Sequence, residues 1–134
     1  MIIILEGSDG CGKDTFASEL HNKLGYKIVR GSSFEMSKNG GDKLFEESLK
    51  ILDEDNIIMN RSFYSNLVYG KLYSYPMMKK EQYLKLLNVV NNKAIVVYLH
   101  ADNNIIKSRL YNRGDDMVKV SDIDDIISEY RNIL

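Results

Sequence analysis

The apolar positions of this 134-residue chain change their period several times, and each change marks an element. Ile2, Ile3, Ile4 and Leu5 form an unbroken apolar run. Such a run has no polar side, which predicts a strand covered on both faces, as in a parallel sheet between helices. A glycine-rich stretch over 7–12 follows. Phe16, Ala17, Leu20 and Leu24 then recur at helical spacing until Gly25, a helix stop signal. Residues 26–30 read as a second short strand. Residues 31–42, with three glycines and three serines, read as loop. Leu44, Phe45, Leu49 and Leu52 predict a helix, Ile57, Ile58 and Met59 a third strand within 56–60, and residues 62–73 another helix.

Pro76, the only proline, ends the stretch Tyr73-Ser74-Tyr75-Pro76, which reads as a loop between two helices. Tyr83, Leu86, Leu87 and Val90 fall at i, i+3, i+4 and i+7 and predict the second of these. Residues 94–99 give the clearest strand, the fourth. Asp102 is expected to cap a helix bearing Ile105, Ile106 and Leu110. Ser121 is expected to cap a last helix with Ile123, Ile126, Ile127 and Tyr130 on one face, with Asp124 completing a weak capping box. Strands alternating with helices predict an α/β fold: a parallel sheet of about four strands with helices on both faces. The length fits a single domain over residues 1–134. Ligands of such sheets bind at the carboxyl ends of the strands.

Charge narrows the partners. Lys and Arg number 18 against 19 Asp and Glu, a net charge of -1. That balance argues against a general nucleic-acid or anionic-membrane binder, which needs excess positive charge. One cysteine, Cys11, forms no intrachain disulfide, and with two histidines it makes a Cys/His zinc site a poor reading. No apolar run approaches the roughly 18–20 residues that span a bilayer. The apolar run at 2–5 is too short for a signal peptide. The expectation is a cytoplasmic protein.

The candidate chemistry lies in Gly7-Ser8-Asp9-Gly10-Cys11-Gly12-Lys13-Asp14-Thr15. Gly7 and Gly12 followed by Lys13 match the phosphate-binding loop, except that Asp14 stands where Ser or Thr is usual. Glycines let consecutive amides turn inward as an anion nest, and the helix starting near Lys13 aims its positive end at the same spot. Gly7, Gly10, Cys11, Gly12, Lys13, Asp14 and Thr15 are the candidate phosphate cradle. A glycine-rich turn with an incidental lysine would look similar, but this stretch follows a predicted buried strand and opens a predicted helix.

From Ile2 to Tyr130 the chain resembles the thymidylate kinase-like nucleoside monophosphate kinases, a branch of the P-loop kinases. Their opening, Glu-Gly-x-Asp-Gly-x-Gly-Lys-Ser/Thr-Thr after a strand, is matched by the run from Glu6 to Thr15. The resemblance implies ATP and Mg²⁺ as cofactors and small nucleotides as substrates. It places Asp9 near the acceptor sugar, Arg30 near the transferred phosphate, and Phe45 of the Leu44-Phe45 pair on the acceptor base. A family run Asp-Arg-Tyr, then Ser and Ala-Tyr, is matched at Arg61, Ser65 and Tyr69, with Arg61 holding the acceptor phosphate. Arg109 and Arg113, at i and i+4, resemble the lid arginines that close over the phosphates, with the lid around 109–117. Family members resemble homodimers built through helices. The Tyr-rich stretch 64–75 offers a face for that, or is core.

Departures are as informative. Asn60 replaces the Asp of Asp-Arg-Tyr, and Ser48-Leu49 stand where the family has an Asp-Arg pair. Relatives continue into a fifth strand whose loop covers the adenine, and no such strand is read after Tyr130. Gly12-Lys13-Asp14 resembles the ending of this loop in small phage deoxynucleotide kinases. In the related kinases a loop hydroxyl binds Mg²⁺ and a strand-end carboxylate supports it. Asp14 and Asn60 reverse that order, which makes Asp14 the candidate metal residue. The leading expectation is transfer from ATP to a deoxynucleoside monophosphate. A hydroxyl acceptor (a deoxynucleoside, or a base or end in DNA) would need a base, for which Glu35 is a candidate. The third reading is a nucleotide-binding module of weakened activity.

Overall fold

The structure is a computed structural model that describes residues 1–8, 10–30, 37–113 and 122–134, with the side chain of Arg113 left out. Asp9, Glu35, Ser121 and residues 114–117 of the expected lid lie outside the described residues.

Four strands form one parallel sheet in the order β2-β3-β1-β4. They are β1 (Ile2–Glu6), β2 (Lys27–Arg30), β3 (Ile57–Asn60) and β4 (Ala94–Tyr98). The described helices are α1 (Lys13–Leu24), α2 (Gly41–Leu52), α3 (Phe63–Tyr73), α4 (Lys80–Lys93), α5 (Asn103–Arg113) and α6 (Ile123–Ile133). β1 and β3 are interior strands and every residue in them is buried, which is why their sequences lack alternation. β2 and β4 are the edges and stay partly exposed.

The pleat sorts the strand residues between two layers. Ile2, Ile4, Ile57 and Met59 face Leu44 and Leu52 of α2, Phe63 and Tyr64 of α3, and Leu86 and Val90 of α4. Ile3, Leu5 and Ile58 face Ala17 of α1, flanked by Phe16 and Leu20. A third cluster joins Val68 and Tyr69 of α3 to Ile106 and Leu110 of α5 and Ile123, Ile126, Ile127 and Tyr130 of α6, and it reaches Cys11 in the first loop. Both faces of the sheet are covered, as the alternation of strands and helices predicts. No described helix is long and apolar enough to cross a membrane.

Local signals explain most boundaries. Gly25 ends α1 in a left-handed conformation, φ 73°, its amide on the carbonyl of His21. Ser62 caps α3, accepting from the amide of Tyr64, and Asp102 accepts from the amide of Asn104 ahead of α5. One expectation needs correction. Leu24 and Ile105 are 46% and 48% exposed, so the apolar stripes of α1 and α5 are narrower than spacing implied. Asp124 accepts from Asn103 and Lys107 of α5, so its carboxylate ties two helices together, while its expected capping partner Ser121 lies outside the described residues. Of the two readings of the Tyr-rich stretch, the packing fits core: Tyr64 and Tyr69 are buried, and Tyr73 and Tyr75 pack on the third cluster.

Met77 passes between two helices through space that two glycines leave. A Cβ on Gly41 would sit 2.1 Å from the Met77 carbonyl oxygen, and one on Gly70 2.3 Å from its thioether sulfur. The first obstacle is backbone and cannot rotate away. Gly41→Ala is therefore expected to lower stability by about 1–3 kcal/mol, read by chemical denaturation. An unchanged midpoint would mean that the strap moves aside freely.

Candidate nucleotide-binding site

The central strand delivers the first loop to the middle of the sheet's carboxyl edge. Gly7, Gly10 and Gly12 all have positive φ there. At Gly7 a side chain is also excluded by space, because its Cβ would lie 2.5 Å from the Leu99 carbonyl oxygen and 2.8 Å from Cys11 Sγ. Gly12 caps α1 without any side-chain hydrogen bond. The positive end of α1 thus opens on the loop, a favourable place for an anion. Lys13 is 6% exposed. Its Nζ donates to the carbonyls of Gly7 and Ser8, both at 2.9 Å, and lies 3.5 Å from Cys11 Sγ. The cation sits inside the curve of the loop and holds its shape.

The neighbouring strand end brings the next groups. In register, Asn60 pairs with Leu5 of β1 and Arg30 of β2, so Arg30 stands on the same edge. Asn60 Nδ2 donates to Asp14 Oδ1 at 2.6 Å, and Asn60 Oδ1, buried, has no partner among the described residues. Arg61 follows at φ 77°, its amide on the Leu5 carbonyl at 3.0 Å. Its Nη1 lies 3.4 Å from the hydroxyls of Ser65, Tyr69 and Tyr130, and its guanidinium is 5.2 Å from the Tyr69 ring centre. Arg109 of α5 donates to the Gly10 carbonyl at 2.8 Å. One cavity of about 810 Å³ is lined by the loop from Gly10 to Thr15, by Phe16 and Glu19 of α1, by Arg61, and by Arg109 and Asn112.

The cavity thus gathers the loop, Lys13, Asp14, Arg61 and Arg109. Ser65 and Tyr69 lie beneath Arg61, buried, and not on the cavity wall. Phe45, on α2, is half-buried and packs on the core, outside the cavity lining. Arg113 closes α5. Among the described residues no group of three His, Cys, Asp or Glu side chains could cage a metal. Magnesium asks for less, one or two carboxylates beside phosphate and water. The Asp14 carboxylate, on the cavity wall and held by Asn60, fits that requirement.

Two participants escaped the sequence reading. Glu6 is fully buried, and its carboxylate accepts from Ser62, Ser65 and Tyr130. Tyr130 reads as one apolar position among four on α6. Only a strand ending in a buried Glu and a helix stripe ending in a Tyr hint at the link. Burial, reinforced by Glu6, raises the Tyr130 phenol well above its ordinary value. Burial also raises Tyr64, to about 12, with Tyr83 and Glu6 adding to it. Both hydroxyls therefore keep their protons at neutral pH.

No family model matches the sequence. Individual proteins do. The SPbeta prophage-derived protein YorR of Bacillus subtilis is 47% identical over 99% of this chain and 81% of its own length. Its crystal structure, in complex with phosphorylated GDP, superposes with a TM-score of 0.90 over 99% of this chain and 78% of that one. The protein named "Putative thymidylate kinase" in Acidianus bottle-shaped virus is 33% identical over 73% of this chain and 68% of its own. Deoxyadenosine kinase from M. mycoides shares the fold at 21% identity, with a TM-score of 0.58 over 99% of this chain and 83% of that one. The chain belongs to the thymidylate kinase-like branch of the P-loop kinases as a small, phage-type member.

Proposed function

We propose that this chain transfers the γ-phosphoryl group of ATP to the phosphate of a deoxynucleoside monophosphate. The observation that carries the reading is one cavity with the phosphate cradle on one strand end and Arg61 on the next. Donor and acceptor anions would meet across it. The loop amides and Lys13 hold the donor phosphates, and Arg61 holds the acceptor phosphate. Arg109, with Arg113, offsets charge on the moving group, and Arg30, at the end of β2, joins them by resemblance. Asp9 and Phe45 take the acceptor sugar and base by resemblance. Magnesium, when bound with ATP, would neutralise charge on the phosphates, and Asp14, held in place by Asn60, would hold it through its water shell.

A phosphate acceptor is already anionic and needs no general base. The carboxylates around the described cavity suit that. Asp14 is engaged by Asn60, and Glu19 lies six residues, about 9 Å, further along α1 than Lys13. The relative that binds phosphorylated GDP supports a nucleotide ligand and puts guanine among the bases to test. The test offers ATP and magnesium with deoxynucleoside monophosphates of all four bases, nucleosides and single-stranded DNA. Turnover on monophosphates alone supports the proposal, and turnover on a hydroxyl acceptor replaces it. Binding without turnover on any acceptor leaves a nucleotide-binding module.

Arg109→Ala removes a cation that acts on charge appearing in the transition state. It is expected to lower kcat roughly ten- to hundredfold with KM for ATP nearly unchanged. Steady-state kinetics equal to wild type would make Arg109 an ordinary solvated side chain.

A further inference from the structure

Glu6 is fully buried at the carboxyl end of β1, and no step proposed above uses it. Its carboxylate only accepts, so polar hydrogens around it must point inward. Oε1 accepts from the amide and the hydroxyl of Ser62, both at 2.7 Å. Oε2 accepts from Ser65 Oγ at 2.6 Å and the Tyr130 hydroxyl at 3.1 Å, and these two hydroxyls are 2.9 Å apart. Each hydroxyl owns one hydrogen. The Ser65 hydrogen lies on Glu6, and that of Tyr130 on Glu6 or Ser65. Neither is left to point outward, so both oxygens present lone pairs to Arg61 Nη1, 3.4 Å from each. The backbone of Arg61 is already pinned to β1 through its amide. What remains to be set is the direction of its side chain.

We propose that Glu6 is a positioning residue for the acceptor site: acting through the hydroxyls of Ser65 and Tyr130, it orients the Arg61 guanidinium to receive an anionic acceptor. The proposal rests on the reading of Arg61 as the holder of the acceptor phosphate. A purely architectural Glu6 would only anchor the start of α3 through Ser62. Glu6→Gln separates the two roles. The amide oxygen must stay on the Ser62 side, because the Ser62 N–H cannot accept. The Gln NH₂ then donates to Ser65 and Tyr130; one hydroxyl can still give its hydrogen to the other, but the second hydrogen must turn outward, so Arg61 meets a positive end where it had a lone pair.

The experiment compares the full chain, Glu6→Gln, Arg61→Ala and the double variant. It reads deoxynucleoside monophosphate binding by calorimetry, steady-state kinetics, and ATP binding as the internal control. Glu6→Gln is expected to weaken acceptor binding and raise acceptor KM roughly ten- to hundredfold, with ATP affinity nearly unchanged. In the Arg61→Ala background the same change is expected to have almost no further effect. Tyr130→Phe, which removes one oxygen without touching Ser62, is expected to give a smaller loss of the same kind, and it carries the test if Glu6→Gln does not fold. A loss undiminished in the Arg61→Ala background, or one equally large for ATP, overturns the proposal. A wild-type chain that binds no monophosphate overturns the reading of the acceptor site itself, and this proposal with it.

Discussion

Replacing Lys13 with alanine is expected to cut phosphoryl transfer by about 10²–10³-fold while the protein still folds. Two losses coincide. The phosphates lose the one side-chain cation inside the loop's curve. The carbonyls of Gly7 and Ser8 lose the donor that holds them 2.9 Å from Nζ. A loop whose carbonyls are free to turn no longer presents only amides to an anion. The cost to folding is small by comparison, since Lys13 lines an open cavity and water can replace its ammonium on both carbonyls. Turnover kinetics beside thermal denaturation would check both halves. Unchanged turnover would remove the phosphate-loop reading.

The second large effect concerns Asp14 and Asn60 together. The 2.6 Å bond between them brings a loop carboxylate and a strand-end amide into one unit. Asp14 sits in the first turn of α1, where the helix dipole favours negative charge by about 0.3–1 kcal/mol. The metal-supporting charge is therefore taken to have moved from strand to loop. Asp14→Ser alone is expected to raise the magnesium needed for half-maximal rate about tenfold, and adding Asn60→Asp to restore much of it. A double-mutant cycle on magnesium dependence reads the coupling. Strictly additive effects would return Asp14 to the role of a helix-start acid.

Much of this was legible because local chemistry and fold agreed. The run at 2–5 is buried on both faces because β1 is interior, and the Gly12-Lys13 junction opens a helix because the loop must end there. The Arg61 turn follows a strand end that the apolar pattern alone located. Strand order was not legible, since β2 and β3 look alike in periodicity and only packing decides which lies beside β1. Nor was the layer under Arg61. Glu6, Ser65 and Tyr130 are far apart in sequence and carry no shared pattern, and Tyr130 passes for an apolar position until its hydroxyl is placed. Leu24 and Ile105 misled in the opposite sense, apolar at helical spacing yet half exposed, because spacing reports a face and not what covers it.

The central claim is that one cavity joins a donor nucleotide to an acceptor phosphate. Following label from γ-labelled ATP, with magnesium and deoxynucleoside monophosphates, tests it most directly. The account predicts label in a deoxynucleoside diphosphate, with transfer by the Lys13→Ala variant at least about a hundredfold slower. Label that stays in ATP for every base, or appears only in inorganic phosphate, would contradict it.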